Sequence, residues 1–181
     1  MAISKASRLT SKPLSLSGAL RSEIEHWLFL KDWAGFLPWR LELHRQVKLY
    51  TDASSFAWSG VLNPDEIPIV AADYWPTNSF SSDIAVKEAL ALANSLSAFK
   101  DRIANARIDV FVDNTALVHA WNKQRSRSHA FSDALKAIFT VLLSTNSTLK
   151  LFHVPSVANI ADPASRSLSL ADAKLSADVW S

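Results

Sequence analysis

The order in which the apolar segments follow one another restricts the fold of this chain more than any other feature. Three short extended runs come first, separated only by short turns: VKLYTDA from residue 47, FAWSGVL from residue 56 and IPIVAADYW from residue 67. Runs rich in β-branched and aromatic residues, bounded by turn residues, are typical of β-strands. The sequence therefore predicts three antiparallel strands that open the organised part of the chain.

Helices and strands alternate after these three strands. The segment from residue 81 predicts a long helix with Ser82 as its N-cap and Asp83 in its first turn, where a carboxylate meets the helix dipole favourably. The run ARIDVFVDN from residue 106 is apolar on both faces, as expected of a strand inside a covered parallel sheet. Two helices, a further strand and a final helix complete the order βββαβααβα. This order implies a mixed sheet whose later strands lie parallel to the first.

Composition excludes several classes of function. The chain has 181 residues, of which 49% are hydrophobic, and this is enough to bury a substantial core. A net charge of +2 means that an anionic partner must be bound by a local basic patch. The chain has no cysteine, which excludes thiolate metal sites, and its three glycines leave no dinucleotide or P-loop fingerprint. No apolar run is long enough for a membrane span, so we expect an intracellular protein with no membrane partner.

Two aspartates stand at the ends of predicted strands. Asp52 closes the first run, and Asp113 follows the fourth. If those strands are neighbours, both carboxylates lie at the carboxyl edge of the sheet, where open α/β sheets bind ligands. Either aspartate taken singly is more typical of a turn or a helix cap than of a catalyst. Their shared position is what favours a functional site.

Two further acids are predicted at the same edge. Glu88 belongs to the helical stripe that must pack on the sheet, although a glutamate at the border of such a stripe often extends into water. Asp162 precedes a proline near the start of the final helix, a position that is equally typical of an N-cap. Both helices adjoin the edge that carries Asp52 and Asp113, and this convergence favours the functional interpretation.

Four carboxylates at one edge would repel one another in a partly desolvated site unless cations were bound. Oxygen ligands of this kind suit Mg²⁺ or Mn²⁺ better than Zn²⁺. Two such ions form the usual clamp for hydrolysis of a phosphodiester bond. The sequence therefore predicts two Mg²⁺ ions, with Mn²⁺ as a substitute. The predicted ligands and catalytic residues are Asp52, Glu88, Asp113 and Asp162.

Residues from about 47 to 170 resemble the ribonuclease H domains of reverse-transcribing elements. The segments that carry the likeness are YTDAS, a tryptophan-containing second strand, VKEALAL, VDNTALVHAW and HVPSVANIADPASR. The last segment is similar to the closing motif of the hepadnavirus, BEL/Pao and DIRS-like branch, in which Val-Pro-Ser runs into Asn-x-Ala-Asp and Ser-Arg. The resemblance implies an α/β, ribonuclease H-like fold: a five-stranded mixed sheet in the order 3-2-1-4-5, flanked by helices.

The resemblance also implies an activity and a context. The family's four metal-binding acids map onto the same four residues, and the implied enzyme is a metal-dependent endonuclease that hydrolyses the RNA strand of RNA/DNA hybrids within a reverse transcriptase. Residues 1–46 then form a connection-like linker with an appended helix, 47–170 the ribonuclease H domain and 171–181 a C-terminal tail. The implied partners are the hybrid and the polymerase domain of the same polyprotein. The implied location is the cytoplasm, including a replicating particle, or the nucleus.

A basic run and three small polar residues are the candidate substrate contacts. The run NKQRSRSH is typical of a solvated loop, but beside a phosphodiester-cleaving site it becomes a candidate for phosphate contact. Analogy with the family adds groups that would read 2′-hydroxyls. The basic candidates are Lys123, Arg125 and Arg127. The candidates added by analogy are Ser54, Ser55 and Asn114.

One departure from the family leaves other interpretations open. Cellular and many retroviral members carry a histidine in the loop before the final acid, and the corresponding loop PSVANIA contains none. His153 precedes this loop inside a predicted strand and receives no catalytic role. The alternatives are a catalytically idle ribonuclease H-like module that binds nucleic acid or protein, and a DNA-cutting enzyme of the same fold.

Overall fold

The computed structural model describes residues 17–32, 45–63, 65–76, 83–126 and 128–167. The chain divides into two compact units, and the described residues up to 32 belong to the first. In this unit helix α1 spans Gly18–His26 and continues as a 3-10 turn at Trp27–Asp32. Ser17 caps the helix, because its side-chain oxygen accepts a hydrogen bond from the backbone N–H of Leu20 at 3.3 Å. A helix therefore lies within residues 1–46, and the division of the chain into linker, domain and tail stays a prediction.

The second unit contains the strands and the remaining described helices. Its strands are β1 Arg45–Ala53, β2 Ala57–Leu62, β3 Ile69–Tyr74, β4 Ala106–Val112 and β5 Thr148–His153. Its helices are α2 Ile84–Ala98, α3 Lys100–Ile103, α4 Thr115–Lys123, α5 His129–Ser144 and α6 Asp162–Ser167, with a 3-10 turn at Ser156–Ala158 before α6. The predicted order of elements is confirmed, and the single turn α3 is added to it. None of the helices described here has the length and hydropathy that a membrane crossing requires.

The five strands form one mixed sheet in the order β3-β2-β1-β4-β5, as predicted. Strands β1, β2 and β3 pair antiparallel, whereas β4 runs parallel to β1 and β5 runs parallel to β4. Tyr50 aligns with Phe111, and Phe111 aligns with Phe152. Their rings stack, with centroids 4.6 Å and 5.4 Å apart. Because β1, β4 and β5 are parallel and in register, the residues that follow these three strands meet at one edge of the sheet.

The packing of helix α2 determines where the side chain of Glu88 lies. The helix lies on β1 and β2 and packs against α5. Its buried face contains Glu88, Leu92 and Leu96, and the C-cap Phe99 is buried as well. Burial of each leucine contributes about 1.5–3 kcal/mol relative to exposure, so the helix cannot rotate without a large loss of stability. Glu88 is therefore held beside the sheet together with the core residues of its stripe.

The start of α2 differs from the prediction by one residue. Asp83 is the N-cap, and its carboxylate accepts a hydrogen bond from the backbone N–H of Ala85 at 2.8 Å. Ser82, the predicted N-cap, lies outside the described residues. Serine and aspartate are about equally favoured at this position. The sequence alone does not rank two such neighbours, and the geometry of the helix start decides between them.

Gly60 provides a test of the packing between β2 and α2. A Cβ atom added to Gly60 would lie 2.7 Å from Cβ of Ser95, which belongs to the buried face of α2. We expect Gly60→Ala to lower the free energy of unfolding by about 1–3 kcal/mol, the usual cost of overpacking, as measured by urea denaturation. The control is Gly18→Ala, whose added Cβ would meet nothing within 4 Å and which should change stability by less than about 0.5 kcal/mol. Equal stability of both variants would contradict this packing.

Candidate metal centre

Three of the four predicted acids meet at the carboxyl edge of the sheet. Asp52 lies near the end of β1, Asp113 directly follows β4, and Glu88 extends from α2. One carboxylate oxygen of each residue lies within 4.8 Å of those of the other two. The parallel pairing of β1 with β4 brings the aspartates together, and the packing of α2 across β1 adds the glutamate. Three acids distant in sequence thus form one cluster.

The cluster lies in an open cavity of about 600 Å³. Three of the predicted substrate-binding residues, Ser54, Ser55 and Asn114, line this cavity. Lys123 and Arg125 are exposed at the end of α4 and just beyond it, and they do not line it. Arg127 lies outside the described residues. The cavity therefore contains the small polar candidates, whereas the described basic candidates lie elsewhere on the surface.

The turn between β1 and β2 is held by hydrogen bonds from several directions. The Ser54 backbone N–H donates to the carbonyl of Ala57 at 2.9 Å, and the Ser54 hydroxyl accepts from the backbone N–H of Ala57 at 3.0 Å. The indole N–H of Trp75 donates to the carbonyl of Ser54 at 3.0 Å. The buried ammonium of Lys87 donates to the carbonyl of Ser55, and burial lowers the pKa of this lysine. One wall of the cavity is consequently rigid.

Asp52 is almost completely buried, with 2% of its surface exposed. Its Oδ1 accepts a hydrogen bond from Nδ2 of Asn159 at 3.2 Å, and its Oδ2 accepts one from the hydroxyl of Ser165. Burial raises the pKa of the Asp52 carboxyl, and the charges of Asp113 and Asp162 raise it further, whereas the hydrogen bond from Ser165 opposes the rise. The carboxylate is therefore well hydrogen-bonded but still costly to ionise.

Glu88 lies in a less favourable environment for a negative charge. Burial, followed by the charges of Asp52 and Asp113, raises the pKa of Glu88 to about 9, and a hydrogen bond from the backbone of Ala53 only partly opposes this. Its Oε2 atom is buried and has no hydrogen-bond partner among the described residues. An anionic oxygen in this position needs a proton or a cation. Three carboxylates with one such oxygen fit a hard divalent cation that prefers oxygen ligands.

Asp162 lies beside this cluster and is not one of the three acids that form it. It begins α6, and its Oδ1 accepts a hydrogen bond from Nε of Arg166 at 2.6 Å. Its side chain is 27% exposed. Its charge is nevertheless close enough to raise the pKa of both Asp52 and Glu88. The fourth predicted acid therefore contributes to the electrostatics of the site and is paired with an arginine.

Several residues of the site were not predicted as site residues. Arg166 lines the cavity, and the Ser156 hydroxyl donates to Oδ2 of Asp113 at 2.6 Å. Asn159 and Ser165 contact the other aspartate of the cluster. All four belong to the segment HVPSVANIADPASR, whose family likeness marked the region but assigned a role only to Asp162. Hydrogen bonds between such distant segments have no signal in the sequence of either one.

Comparison with known proteins concerns the fold. No protein-family model matches the sequence, and no curated protein matches it either. The structure is similar to that of RNase H1 from the halophilic archaeon Halobacterium salinarum NRC-1, with a TM-score of 0.56, 18% identity and coverage of 68% of this chain and 99% of that one. It is also similar to the N-terminal RNase H domain of a Mycobacterium tuberculosis protein, solved as a maltose-binding-protein fusion, with a TM-score of 0.56, 14% identity and coverage of 74% and 99%.

A third similar structure is that of LC11-RNase H1 in complex with an RNA/DNA hybrid. This enzyme was isolated from compost by a metagenomic approach. The TM-score is 0.53 at 14% identity, over 65% of this chain and 90% of that one. Structural similarity at sequence identities this low shows a common fold and does not show a common activity. These structural similarities, together with the five-stranded mixed sheet flanked by helices, show that this chain has the ribonuclease H fold.

Proposed function

We propose that this protein is a metal-dependent endonuclease that hydrolyses the RNA strand of RNA/DNA hybrids. The observation that carries the proposal is the convergence of Asp52, Glu88 and Asp113 within 4.8 Å at the carboxyl edge of a ribonuclease H fold. The substrate class is supported by LC11-RNase H1, which has a similar fold and was solved with an RNA/DNA hybrid. A cavity that opens to solvent beside the three acids leaves room for a nucleic-acid backbone.

The three clustered acids would hold Mg²⁺, with Mn²⁺ as a substitute, and Asp162 would complete the ligand set from α6. Bound divalent ions supply activation of water and neutralisation of charge at the phosphate. Glu88 contributes an oxygen that has no hydrogen-bond partner among the described residues, so a cation does not have to displace a protein donor from it. The hydrogen bonds that Asp52 accepts keep its carboxylate in place beside Glu88.

Arg166 would bind the phosphate of the substrate. Its Nε is paired with Asp162, and an arginine in this pairing still has its terminal NH₂ groups for a second anion. Among the described residues that line the cavity it is the cationic one, and its side chain is 67% exposed. The pairing restricts the guanidinium to one orientation and so lowers the entropy lost on binding phosphate. Arg166 thus provides the positive charge that the cavity needs for an anionic substrate.

The other predicted contacts would act farther along the hybrid. Asn114 uses Oδ1 to cap α4 by accepting from the backbone N–H of Leu117 at 3.1 Å, and its NH₂ group can donate to a sugar hydroxyl. Ser54 and Ser55 line the same wall of the cavity. Ser55 would offer its hydroxyl, whereas the groups of Ser54 are hydrogen-bonded within the turn and would shape this wall. The basic run is proposed to contact phosphates away from the cleaved bond. Its members are Lys123, Arg125 and Arg127.

The proposed context is a reverse transcriptase of the hepadnavirus, BEL/Pao or DIRS-like kind. It is supported by the likeness of HVPSVANIADPASR to the closing motif of that branch. In this proposal residues 47–170 are the ribonuclease H domain, residues 1–46 connect it to a polymerase domain, and 171–181 form a tail. The enzyme would act in the cytoplasm, within a replicating particle, or in the nucleus.

Asp52→Asn and Glu88→Gln test the proposed chemistry. We expect each to lower Mg²⁺-dependent cleavage of an RNA/DNA hybrid by more than about 100-fold, because loss of a metal ligand costs more than loss of its outer hydrogen-bond partners. The measurement is single-turnover cleavage of a hybrid with a labelled RNA strand. The matched control is Asp133→Asn on α5, where the carboxylate is 72% exposed and lies 3.7 Å from Lys136; it should cleave like the wild type.

Three outcomes of this assay would contradict the proposal. Undiminished cleavage by both site variants would rule out the mechanism. Binding of the hybrid without cleavage by the wild type would favour the idle binding module. Equal cleavage of duplex DNA would favour a DNA-cutting enzyme of the same fold.

The pKa of Glu88 predicts how stability depends on pH when no cation is bound. Between pH 4.5 and about 9 the folded state keeps a proton that the unfolded state has lost, so stability falls as the pH rises. In chelator-treated buffer we expect the free energy of unfolding to fall by at least about 1.4 kcal/mol over this range, which is the contribution of a shift of one pKa unit. Glu88→Gln should flatten the profile, and Mn²⁺ should stabilise the wild type most at high pH. A flat wild-type profile in urea denaturation would contradict the buried position of Glu88.

Arg166→Gln tests the proposed phosphate contact. Loss of one charge contact should reduce the slope of log K against log salt by about one unit and weaken hybrid binding, as measured by fluorescence anisotropy at several salt concentrations. Arg166→Lys should keep the slope but bind more weakly than the wild type, because lysine lacks the planar fork. The control is Arg21→Gln on α1, where the arginine is 72% exposed and is paired with Glu25. An unchanged slope in Arg166→Gln would exclude the contact.

A further inference from the structure

We propose that Ser156, Asn159 and Ser165 are positioning residues, which orient the carboxylates of Asp52 and Asp113 for cation binding. This inference rests on the proposed function, because the carboxylates in question are its metal ligands. The three residues lie between the end of β5 and the last turn of α6, so one segment of the chain, the closing segment 156–165, serves both aspartates.

The two hydrogen bonds on Asp52 come from different donors and reach different oxygens. Nδ2 of Asn159 donates to Oδ1, and the hydroxyl of Ser165 donates to Oδ2. One donor on each oxygen prevents rotation of the carboxylate about its terminal bond. Each oxygen has a second lone pair, which stays available to a cation. This is the arrangement by which outer hydrogen bonds orient metal ligands in other sites.

The donors on Asp52 are themselves fixed. Asn159 is 3% exposed, and its Nδ2 also donates to the carbonyl of Thr51 at 3.0 Å, while its Oδ1 accepts from the backbone N–H of Ala161 at 3.2 Å. These three contacts determine which end of the amide faces the carboxylate, since the two ends have opposite hydrogen-bonding character. Ser165 is completely buried. Its hydroxyl also lies 3.1 Å from the carbonyl of Asp162, which is an alternative acceptor. If either donor turned away, a buried oxygen of Asp52 would lose that hydrogen bond.

Asp113 is oriented by the beginning of the same segment. The hydroxyl of Ser156 donates to its Oδ2 at 2.6 Å. The backbone N–H of Val154 donates to the carbonyl of Val112 at 2.9 Å, so the pairing of β5 with β4 continues past the end of the strand. This continuation fixes where Ser156 lies relative to Asp113. Unlike Asn159 and Ser165, Ser156 is exposed, so it can be changed without disturbing the core.

The hydrogen bonding of Glu88 differs from that of the two aspartates. Glu88 receives a backbone hydrogen bond from Ala53, and its Oε2 has no partner among the described residues. Two of the three clustered acids are therefore oriented by side chains of the closing segment, and the third keeps an oxygen without a donor. Preorganised ligands spend less free energy on reorganisation when the cation binds. The closing segment thus contributes to metal affinity through residues that do not touch the metal.

The test separates positioning from a purely structural role. The variants are Ser165→Ala and Ser156→Ala in the full chain, and the matched control is Ser147→Ala. Ser147 is also a buried serine, 4% exposed, whose hydroxyl donates to the backbone carbonyl of Ile103. It directly precedes β5, at the opposite end of the strand from the cluster. The readouts are Mn²⁺ affinity by titration calorimetry, urea denaturation without metal, and hybrid cleavage.

We expect Ser165→Ala and Ser147→Ala to lower the stability of the metal-free protein to a similar extent, because each removes one buried hydroxyl donor. Of these two variants, only Ser165→Ala should weaken Mn²⁺ binding, by about 10–100-fold, the usual effect of losing an outer partner of a metal ligand. Ser156→Ala should weaken Mn²⁺ binding without a comparable loss of stability. Cleavage by both closing-segment variants should be recovered in part by raising the Mn²⁺ concentration.

The outcomes distinguish this inference from the proposed function. If the wild type binds Mn²⁺ and cleaves the hybrid while both closing-segment variants bind Mn²⁺ with wild-type affinity, positioning is excluded and the proposed function stands. If Ser147→Ala loses as much affinity as Ser165→Ala, the loss reflects stability and positioning is excluded. If Ser165→Ala does not fold, Ser156→Ala decides alone. A wild type that binds no Mn²⁺ would overturn both proposals.

Discussion

The parallel, in-register pairing of β1 with β4 is the constraint on which the candidate site depends. It aligns Tyr50 with Phe111 and so places Asp52 and Asp113 at the same edge of the sheet. The burial of α2 against β1 and β2 then carries Glu88 to that edge, because the glutamate shares a stripe with fully buried leucines. A slip in either packing arrangement would separate the acids. Hydrophobic burial therefore determines the position of a charged site.

The same burial makes the site electrostatically unfavourable until a cation is bound. Burial and mutual repulsion raise the pKa of Asp52 and raise that of Glu88 to about 9. The protein offsets part of this cost through donors from the closing segment and through Arg166, whose charge lowers the pKa of Asp52. Oε2 of Glu88 has no hydrogen-bond donor of this kind among the described residues. The buried acids that the proposed chemistry needs thus lower the stability of the metal-free protein, a common cost of functional sites.

Local pattern was informative wherever a residue's environment follows from its neighbours in sequence. Extended runs rich in β-branched and aromatic residues, together with helical periodicity, predicted the order of the strands and helices, and the stripe on α2 placed Glu88 at the face that packs on the sheet. The predicted position of the α2 N-cap was wrong by one residue, because serine and aspartate, here Ser82 and Asp83, are both favoured caps. The pairing of Asp162 with Arg166 was not predicted, since a residue before proline at a helix start has several possible partners.

The sequence by itself determined the types and order of the elements, and it identified the acids that the strand ends and the α2 stripe bring to one edge. Family likeness, and not periodicity, supplied the strand order. Only the tertiary structure decided that Asp52, Glu88 and Asp113 form the cluster, that Asp162 is paired beside it, and that the closing segment supplies donors to both aspartates. The physical reason is range. Backbone periodicity and capping act within a few residues, whereas the hydrogen bond from Ser165 to Asp52 joins segments that only the completed sheet brings together.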